Sequence, residues 1–285
     1  MKPARARKVA SKHGGRHRHV MRAALPCLLL LAVPGSNLPA AAGSSDWFET
    51  EGARIRLVTI DEPTQEGTLK GTLEIALDAG WKTYWADPGD AGIPPQIDIA
   101  GSQNVTGVEI AFPAPQRFED TYGSWAGYHA PVALPVTFTV GDPSHFSAID
   151  ATVTLGVCSE VCVPVQAKLS VNSRGADEEA EARADVEAAF ASLPAPASEA
   201  FGVISANDKD DTLEMRARVP AGASKAELFL VAPPGLKLGK PSMTGAGTER
   251  TFTFPVVRRN GGKLVEFPYT LVGDGKAVSG VAKLN

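Results

Sequence analysis

The segment GVCSEVCVP, residues 156–164, contains two cysteines whose spacing would allow them to act together chemically. Cys158 and Cys162 are separated by three residues. Two thiols this close can form a structural disulfide, hold a metal ion, or carry electrons by opening and closing a disulfide. Each of these possibilities implies a different function, so the compartment and the elements around the pair have to distinguish them.

The N-terminal segment indicates an exported protein. Residues 1–22 are basic without an acidic residue, residues 23–33 are apolar, and three alanines stand at 40–42. This order is typical of a secretory signal peptide, and the apolar run is shorter than the ~20 residues of a membrane-spanning helix. We expect cleavage near Ala42, which leaves a periplasmic chain without membrane insertion. Because Met21 also begins a complete signal, it is an alternative start.

Removal of this segment changes both the charge and the cysteine count. The chain has 28 basic and 32 acidic residues; eight of the basic ones and none of the acidic ones lie in residues 1–42. The remaining 20 and 32 give a net charge of −12, which argues against nucleic acid as a partner. Cys27 is also lost, so Cys158 and Cys162 remain as the only cysteines, and in an oxidising compartment such a pair usually bonds.

Alternating apolar residues predict strands over residues 69–77, 132–140, 151–157 and 163–171. Proline and glycine turns separate them, which favours a β-sandwich. The last two strands predict a hairpin across residues 159–161 with the cysteines directly opposite. Opposite residues have Cα atoms ~4.5–5.5 Å apart, and disulfides span ~4.4–6.8 Å.

A bridge at this position adds little to stability. The five-residue loop that it closes gives roughly 2 kcal/mol in the chain-entropy model, against about 4.7 kcal/mol for a hundred-residue loop. The hairpin already holds the two strands together, whereas a structural bridge is more useful between distant strands. The spacing therefore favours a redox-active pair over a structural disulfide.

The second half of the chain predicts a further β domain. Residues 176–193 are the clear helix candidate, with Asp177, Glu178 and Glu179 at its N-terminal end. Residues 194–198 predict a linker, and strands then resume. Segments 73–77 and 134–142 have weak echoes at 228–231 and 267–274. The expected organisation is therefore a signal peptide at 1–42, a first β-sandwich at 43–174, a helix and linker at 175–198, and a smaller β domain at 199–285 that is a candidate degenerate repeat.

Several segments of the first half resemble the N-terminal periplasmic domain of DsbD, the thiol:disulfide interchange protein. Residues 80–90 with 92–95 resemble a block common in these domains. Residues 118–128, followed by 134–136, resemble the cap-loop region and the strand after it. Cys158, Cys162 and Pro164 resemble the family's cysteine pair with its trailing proline.

The resemblance implies a fold, partners and residue roles. The fold is an immunoglobulin-like β-sandwich with the cysteines on a hairpin. The partners are a membrane-embedded electron donor of the DsbD/CcdA type and periplasmic thioredoxin-like proteins as acceptors. By resemblance, Cys162 attacks a partner's disulfide and Cys158 resolves the mixed disulfide.

The same resemblance assigns the cap loop. Its acidic positions correspond to Glu119 and Asp120, and its loop tyrosine corresponds to Tyr122. Together with Glu160, these carboxylates are expected to raise the pKa of the thiols and keep the free domain unreactive. Thr121 stands where the family pattern has a shielding phenylalanine, so we expect Phe118 or Trp125 to shield the pair.

The sequence also departs from the family in ways that affect function. The family pattern has five residues between its cysteines, and this sequence has three. No transmembrane carrier and no thioredoxin module follow, so we expect a stand-alone component of a thiol–disulfide oxidoreductase system whose donor is a separate protein.

Other kinds of site are weaker. No cofactor and no metal are expected, because His129 and His145 are too few for zinc; a copper(I) site of His129 with the two thiolates is the remaining metal alternative. The aromatic residues Trp81, Tyr84, Trp85 and Trp125 form either a sugar-stacking face or, as we expect, a packed sandwich edge. The alternative for the chain is a non-catalytic β-sandwich binding module with a structural disulfide.

Overall fold

The computed structural model describes residues 43–60, 62–89, 92–120, 123–172, 179–209, 211–260 and 265–284. The first half consists of the strands β1 (Phe48–Thr50), β2 (Ala53–Thr59), β3 (Thr68–Leu77), β4 (Lys82–Gly89), β5 (Gln96–Asp98), β6 (Val105–Ile110), β7 (Gln116–Asp120), β8 (Gly123–Tyr128), β9 (Val132–Val140), β10 (Ala148–Cys158) and β11 (Cys162–Asn172). Next come the helix α1 (Glu179–Ala191) and the strands β12 (Ala195–Pro196), β13 (Gly202–Asp208), β14 (Thr212–Arg218), β15 (Ala226–Leu230), β16 (Leu236–Leu238), β17 (Ser242–Thr244), β18 (Glu249–Arg259), β19 (Glu266–Gly273) and β20 (Lys276–Lys283).

The first-half strands form a β-sandwich. One sheet has the order β1-β2-β3-β9-β6, and the other has the order β11-β10-β4-β8-β7, with β5 also pairing with β10. The alternating residues of both sheets meet in one core, in which Leu73 and Phe138 of one sheet and Val153 of the other are inaccessible to solvent. The predicted immunoglobulin-like all-β fold is therefore confirmed, and the four predicted strands correspond to β3, β9, β10 and β11.

The second-half strands form another sandwich with its own core. Its sheets have the orders β12-β20-β19-β15 and β13-β14-β18-β16, and β17 pairs with β18. Met215, Phe252 and Phe267 are buried between them. The segments that echo each other occupy paired strands in both halves, β3 with β9 and β15 with β19. When the similar sequence segments of the two halves are aligned, the two strand pairs differ in register.

Helix α1 covers an outer face of the first sandwich. Its apolar side, including Val186, packs against Val58 of β2. Arg56 connects the same surfaces, because its guanidinium contacts Glu74 at 2.7 Å and Asp185 of the helix at 3.1 Å. No helix in the described part of the chain has the length and apolar character needed to span a bilayer.

The segment predicted as a linker contains a strand. Ala195 and Pro196 pair in parallel with Val278 and Ser279 of β20, so the chain adds an edge to the second sandwich immediately after the helix. The start of the predicted helix, with Asp177 and Glu178, lies outside the described residues, as do the predicted signal peptide at 1–42 and its cleavage position.

Side chains of both sandwiches meet in a small apolar cluster. Trp85 of β4 and Ala126 of β8 are buried together with Phe229 of β15, and the Trp85 and Phe229 rings lie edge to face with centroids 5.9 Å apart. Asp87 accepts a hydrogen bond from the backbone N–H of Ala232 at 2.9 Å. The second sandwich is therefore packed directly against strands of the cysteine-bearing sheet.

Candidate functional site

The two cysteines form a disulfide at the end of the β10–β11 hairpin. Cys158 ends β10, Cys162 begins β11, and they are directly opposite in the ladder, with Cα atoms 4.1 Å apart. The Ser159 N–H donates to the carbonyl of Val161 at 3.2 Å and closes the turn. The hairpin, its turn and the pairing of the cysteines are all as predicted.

Strand β4 holds the other side of Cys158. Cys158 pairs with Lys82, and the hydroxyl of Thr83 donates to the carbonyl of Gly156 at 2.9 Å. Because side chains alternate along a strand, Lys82 and Tyr84 share one face of β4 and Trp85 lies on the other. This alternation directs Tyr84 to the sulfurs and Trp85 to the second sandwich.

The two sulfurs differ in their access to solvent. Cys158 is 0% exposed, whereas Cys162 is exposed beside Val161, which is 70% exposed at the hairpin turn. Thiol–disulfide exchange depends on which sulfur an incoming thiolate can reach. The accessible sulfur is therefore Cys162, and Cys158 is the leaving sulfur when Cys162 is attacked.

Tyr84 contacts both sulfurs. Its hydroxyl lies 3.1 Å from Cys158 Sγ and 3.2 Å from Cys162 Sγ, and the residue is 2% exposed. Burial, followed by the negative charge of Asp120, raises the pKa of Tyr84. The phenol is therefore protonated at neutral pH and is able to donate a hydrogen bond to a sulfur atom. Sequence reasoning counted Tyr84 only as an aromatic residue, although it stands two positions after the strand partner of Cys158.

A β-hairpin covers the buried sulfur; we call β7 and β8 together the cap hairpin. Trp125 forms a buried cluster with Tyr84 and Cys158, and Phe118 packs against that cluster. The Phe118 and Trp125 rings are stacked with centroids 4.4 Å apart. Both residues expected to shield the pair therefore lie at it, with Trp125 in the inner layer. Tyr122 and Thr121, between the two strands, lie outside the described residues.

Asp120 connects the cap hairpin to β4. Its Oδ2 accepts hydrogen bonds from Lys82 Nζ at 2.6 Å and from Trp125 Nε1 at 2.9 Å. The Lys82 side chain is only 9% exposed, and its ammonium lies 4.3 Å from the centre of the Trp125 ring. The charge of Asp120 next to the disulfide is thus accompanied by a cation that sequence reasoning did not identify.

The other expected acidic residues are placed differently. Glu119 forms an ion pair with Lys240 of the second sandwich. Glu160 is exposed on the cysteine turn. A cavity of about 380 Å³ lies between the cap hairpin and this turn. It is lined by Lys82, Phe118, Glu119, Asp120, Trp125, His129, Ser159 and Glu160.

The alternative sites have little support in the geometry. His129 lies against the rings of Phe118 and Trp125, with centroids 4.4 and 5.2 Å away. Among the described residues, no three histidine, cysteine, aspartate or glutamate side chains are grouped as metal ligands. Trp81 packs on the first core and Trp85 packs between the sandwiches, so these tryptophans form no common stacking face with Tyr84 and Trp125.

Comparison with known proteins supports the fold and indicates a family. The N-terminal periplasmic domain of ScsB from Proteus mirabilis has the same fold, with a TM-score of 0.70 and 22% sequence identity over 86% of this chain and 100% of that one. No curated protein matches this chain in sequence. Residues 55–173 match the family model for the N-terminal domain of the thiol:disulfide interchange protein DsbD. Residues 55–173, which carry Cys158, Cys162 and the cap hairpin, are therefore similar to the N-terminal domain of the DsbD family, and this similarity points to a thiol–disulfide interchange domain.

Proposed function

We propose that this chain relays reducing equivalents in the periplasm, from a membrane-embedded dithiol donor of the DsbD/CcdA type to thioredoxin-like proteins. The observation that carries the proposal is the asymmetric disulfide, with Cys162 exposed at a turn and Cys158 buried under the cap hairpin. The DsbD family match supports the class of chemistry. The N-terminal sequence pattern and the similarity to a periplasmic domain support the location.

Acceptance of electrons begins at the exposed sulfur. A thiolate of the donor attacks Cys162 Sγ and forms a mixed disulfide, and Cys158 Sγ leaves with the electron pair of the broken bond as a thiolate. The second thiolate of the donor then attacks the donor sulfur of the mixed disulfide and releases Cys162. The donor becomes a disulfide, and this chain holds two electrons as a dithiol after two protons are taken up.

Delivery to the acceptor uses the same residues in reverse. The Cys162 thiolate attacks the acceptor disulfide, and one acceptor sulfur leaves as a thiolate. The Cys158 thiolate then attacks Cys162 Sγ, which closes the disulfide and releases the second acceptor sulfur. The acceptor gains two electrons and two protons, and no cofactor is required.

The surrounding side chains assist the buried sulfur. When Cys158 leaves as a thiolate, the Tyr84 hydroxyl, 3.1 Å away in the disulfide form, is in position to donate to it. Hydrogen bonds to charged groups are stronger than those between neutral groups. Lys82 places a buried positive charge on the neighbouring strand position, which also favours a thiolate.

The reduction potential tests the proposal. The full chain is equilibrated in thiol buffers of graded potential, and free thiols are counted by alkylation and mass spectrometry. We expect a midpoint within the range of exchange proteins, roughly −120 to −270 mV. A midpoint below about −300 mV is typical of structural disulfides and would instead support the binding-module alternative.

Partner trapping tests the roles of the two cysteines. Cys158→Ala keeps the exposed thiol and removes the resolving thiol, so it is expected to accumulate a mixed disulfide with a thioredoxin-like protein. The matched variant Cys162→Ala keeps only the buried thiol and is expected to accumulate far less. Equal trapping by both variants would contradict the assignment of Cys162 as the attacking residue.

A further inference from the structure

We propose that the second sandwich holds the cap hairpin closed over the disulfide, and that Glu119 and Lys240 form a releasable latch in this contact. The control of electron transfer by this latch rests on the proposed function, whereas the latch itself is a property of the fold. The proposal follows from the alternation of side chains along β7, from a buried contact between β7 and the second sandwich at Arg117, and from an exposed contact at Glu119.

Strand β7 has two occupied faces. Phe118 and Asp120 face the disulfide, where they contact Trp125 and Lys82. Arg117 and Glu119 face the second sandwich, where they contact β15 and Lys240. Since alternate residues of a strand point to opposite sides, one face of β7 contacts the redox site and the other face contacts the second sandwich.

Arg117 makes the buried contact. Its Nη2 donates to the carbonyl of Leu228 at 3.1 Å, and its guanidinium lies 4.6 Å from the centre of the Phe229 ring. Its side chain is 16% exposed and lies 3.7 Å from Glu227. Burial lowers the pKa of Arg117, as expected for a cation enclosed by both sandwiches. Arg117 pairs with Ala126 of β8, so this contact fixes the hairpin away from its tip.

The Glu119–Lys240 latch is the weak contact. The side chains are 60% and 52% exposed, and an exposed ion pair adds little net stability because water and salt screen it. Glu119 pairs with Ser124 of β8, one position before the end of β7. The latch thus acts near the hairpin tip, next to Asp120, whereas the anchor at Arg117 lies further from the tip.

This arrangement allows the end of β7 at Glu119 and Asp120 to move while Arg117 stays attached to the second sandwich. Loss of the latch removes one of the contacts at the end of β7 that carries Phe118 and Asp120, so this end should separate more often from the disulfide, against the contacts with Lys82 and Trp125 that remain. Phe118 and Asp120 belong to the contacts that enclose Cys158. We therefore infer that Lys240 is a positioning residue of the site, although it belongs to the other sandwich and is 121 positions from Glu119 in sequence.

Hydrogen–deuterium exchange of the full-length protein tests the latch. Peptides covering residues 116–127 are followed in the wild type, Glu119→Gln, Lys240→Met, Lys240→Arg and the charge exchange Glu119→Lys with Lys240→Glu. Exchange in Lys240→Met and Glu119→Gln should be about two- to fivefold faster, the size expected for loss of an exposed ion pair. Lys240→Arg and the charge exchange should restore the wild-type rate.

A matched control removes a comparable ion pair elsewhere. Lys209 and Glu214 pair at 2.8 Å in the second sandwich, and Lys209→Met should leave exchange in residues 116–127 unchanged. Wild-type exchange there should also rise with salt concentration, and that of Lys240→Met should not. Unchanged exchange in Lys240→Met, or equal acceleration in Lys209→Met, would overturn the proposal.

The chemical consequence is measured without a redox partner. In a Cys162→Ser background, alkylation of the buried Cys158 thiol by iodoacetamide reports opening of the cap hairpin. Adding Lys240→Met should accelerate this alkylation about two- to fivefold, and Lys240→Arg should not. Because neither measurement involves thiol exchange, failure of the latch and failure of the proposed function remain distinguishable.

Discussion

Tyr84 is the side chain that connects the disulfide to the strand beside it. In the proposed mechanism its hydroxyl donates to the Cys158 thiolate, so Tyr84→Phe should slow reduction of the disulfide by dithiothreitol. A hydrogen bond of ordinary net strength corresponds to a rate roughly three- to tenfold lower. The rate is measured by quenching with acid and counting free thiols. An unchanged rate would leave Tyr84 as a packing residue only.

Tyr128→Phe provides a matched control for that experiment. The Tyr128 hydroxyl donates to the carbonyl of Pro113 at 2.8 Å and contributes no hydrogen bond to either sulfur. Its loss should lower the free energy of unfolding by about 1 kcal/mol. The rate of disulfide reduction should remain that of the wild type.

Asp120 should control the titration of Tyr84. Burial and the charge of Asp120 raise the pKa of Tyr84 above its ordinary value of 10.0, so the folded protein holds this proton more tightly than the unfolded chain. The resulting stability is complete below about pH 10 and is lost as pH rises through the folded pKa. Asp120→Asn removes the charge and should lower the Tyr84 pKa, as measured by ultraviolet difference titration against Tyr84→Phe. A pKa that stays or rises would contradict this account.

The strands around the cysteines show which elements a sequence specifies locally. Strands β10 and β11 alternate without interruption, and the turn between them is short, so their pairing and the opposition of the cysteines follow from the sequence. The cap was expected as a loop, by resemblance, but residues 116–120 and 123–128 are strands. Glycine and aromatic residues hide this alternation, because the positions of Trp125 and Gly127 depend on contacts with Tyr84 and Thr83 of β4.

Gly127 sets how closely β8 approaches β4. A Cβ at this position would lie 2.2 Å from the carbonyl oxygen of Thr83 and 3.0 Å from the Cα of Tyr84. Because both neighbours are backbone atoms, Gly127→Ala should push the strands apart and lower the free energy of unfolding by about 2–3 kcal/mol, measured by denaturant titration. A Cβ at Gly273 would lie near side-chain atoms only, the nearest at 3.5 Å. Gly273→Ala should therefore lower the free energy of unfolding by less than about 1 kcal/mol. Equal costs would contradict the close approach as the cause.

The contact between the sandwiches is the feature that is least predictable from the sequence. A second β domain was expected, but no periodicity relates Glu119 to Lys240 or Arg117 to Phe229. These pairs form only after both sandwiches have folded and packed together. The proposed role of the second sandwich therefore rests on tertiary structure, whereas the proposed cysteine chemistry rests on spacing and family resemblance.

Phe229 should couple the unfolding of the two sandwiches. It is 2% exposed and lies between Trp85 and the guanidinium of Arg117. Phe229→Ala should lower the free energy of unfolding by about 3 kcal/mol. It should also split a single calorimetric unfolding transition into two. Phe146→Ala, at a side chain that is 47% exposed, should leave the transition unchanged. A single sharp transition in Phe229→Ala would show that other contacts couple the sandwiches.

The register of the β10–β11 hairpin has a consequence for repeated use of the disulfide. Backbone pairing runs from Ala148 with Asn172 to Cys158 with Cys162, so cleavage of the sulfur–sulfur bond releases only the turn between the cysteines. The ladder keeps both thiols opposite each other and acts as a template for reoxidation. In the proposed relay, the domain therefore needs no refolding between cycles, and we expect its turnover to be limited by encounters with partners.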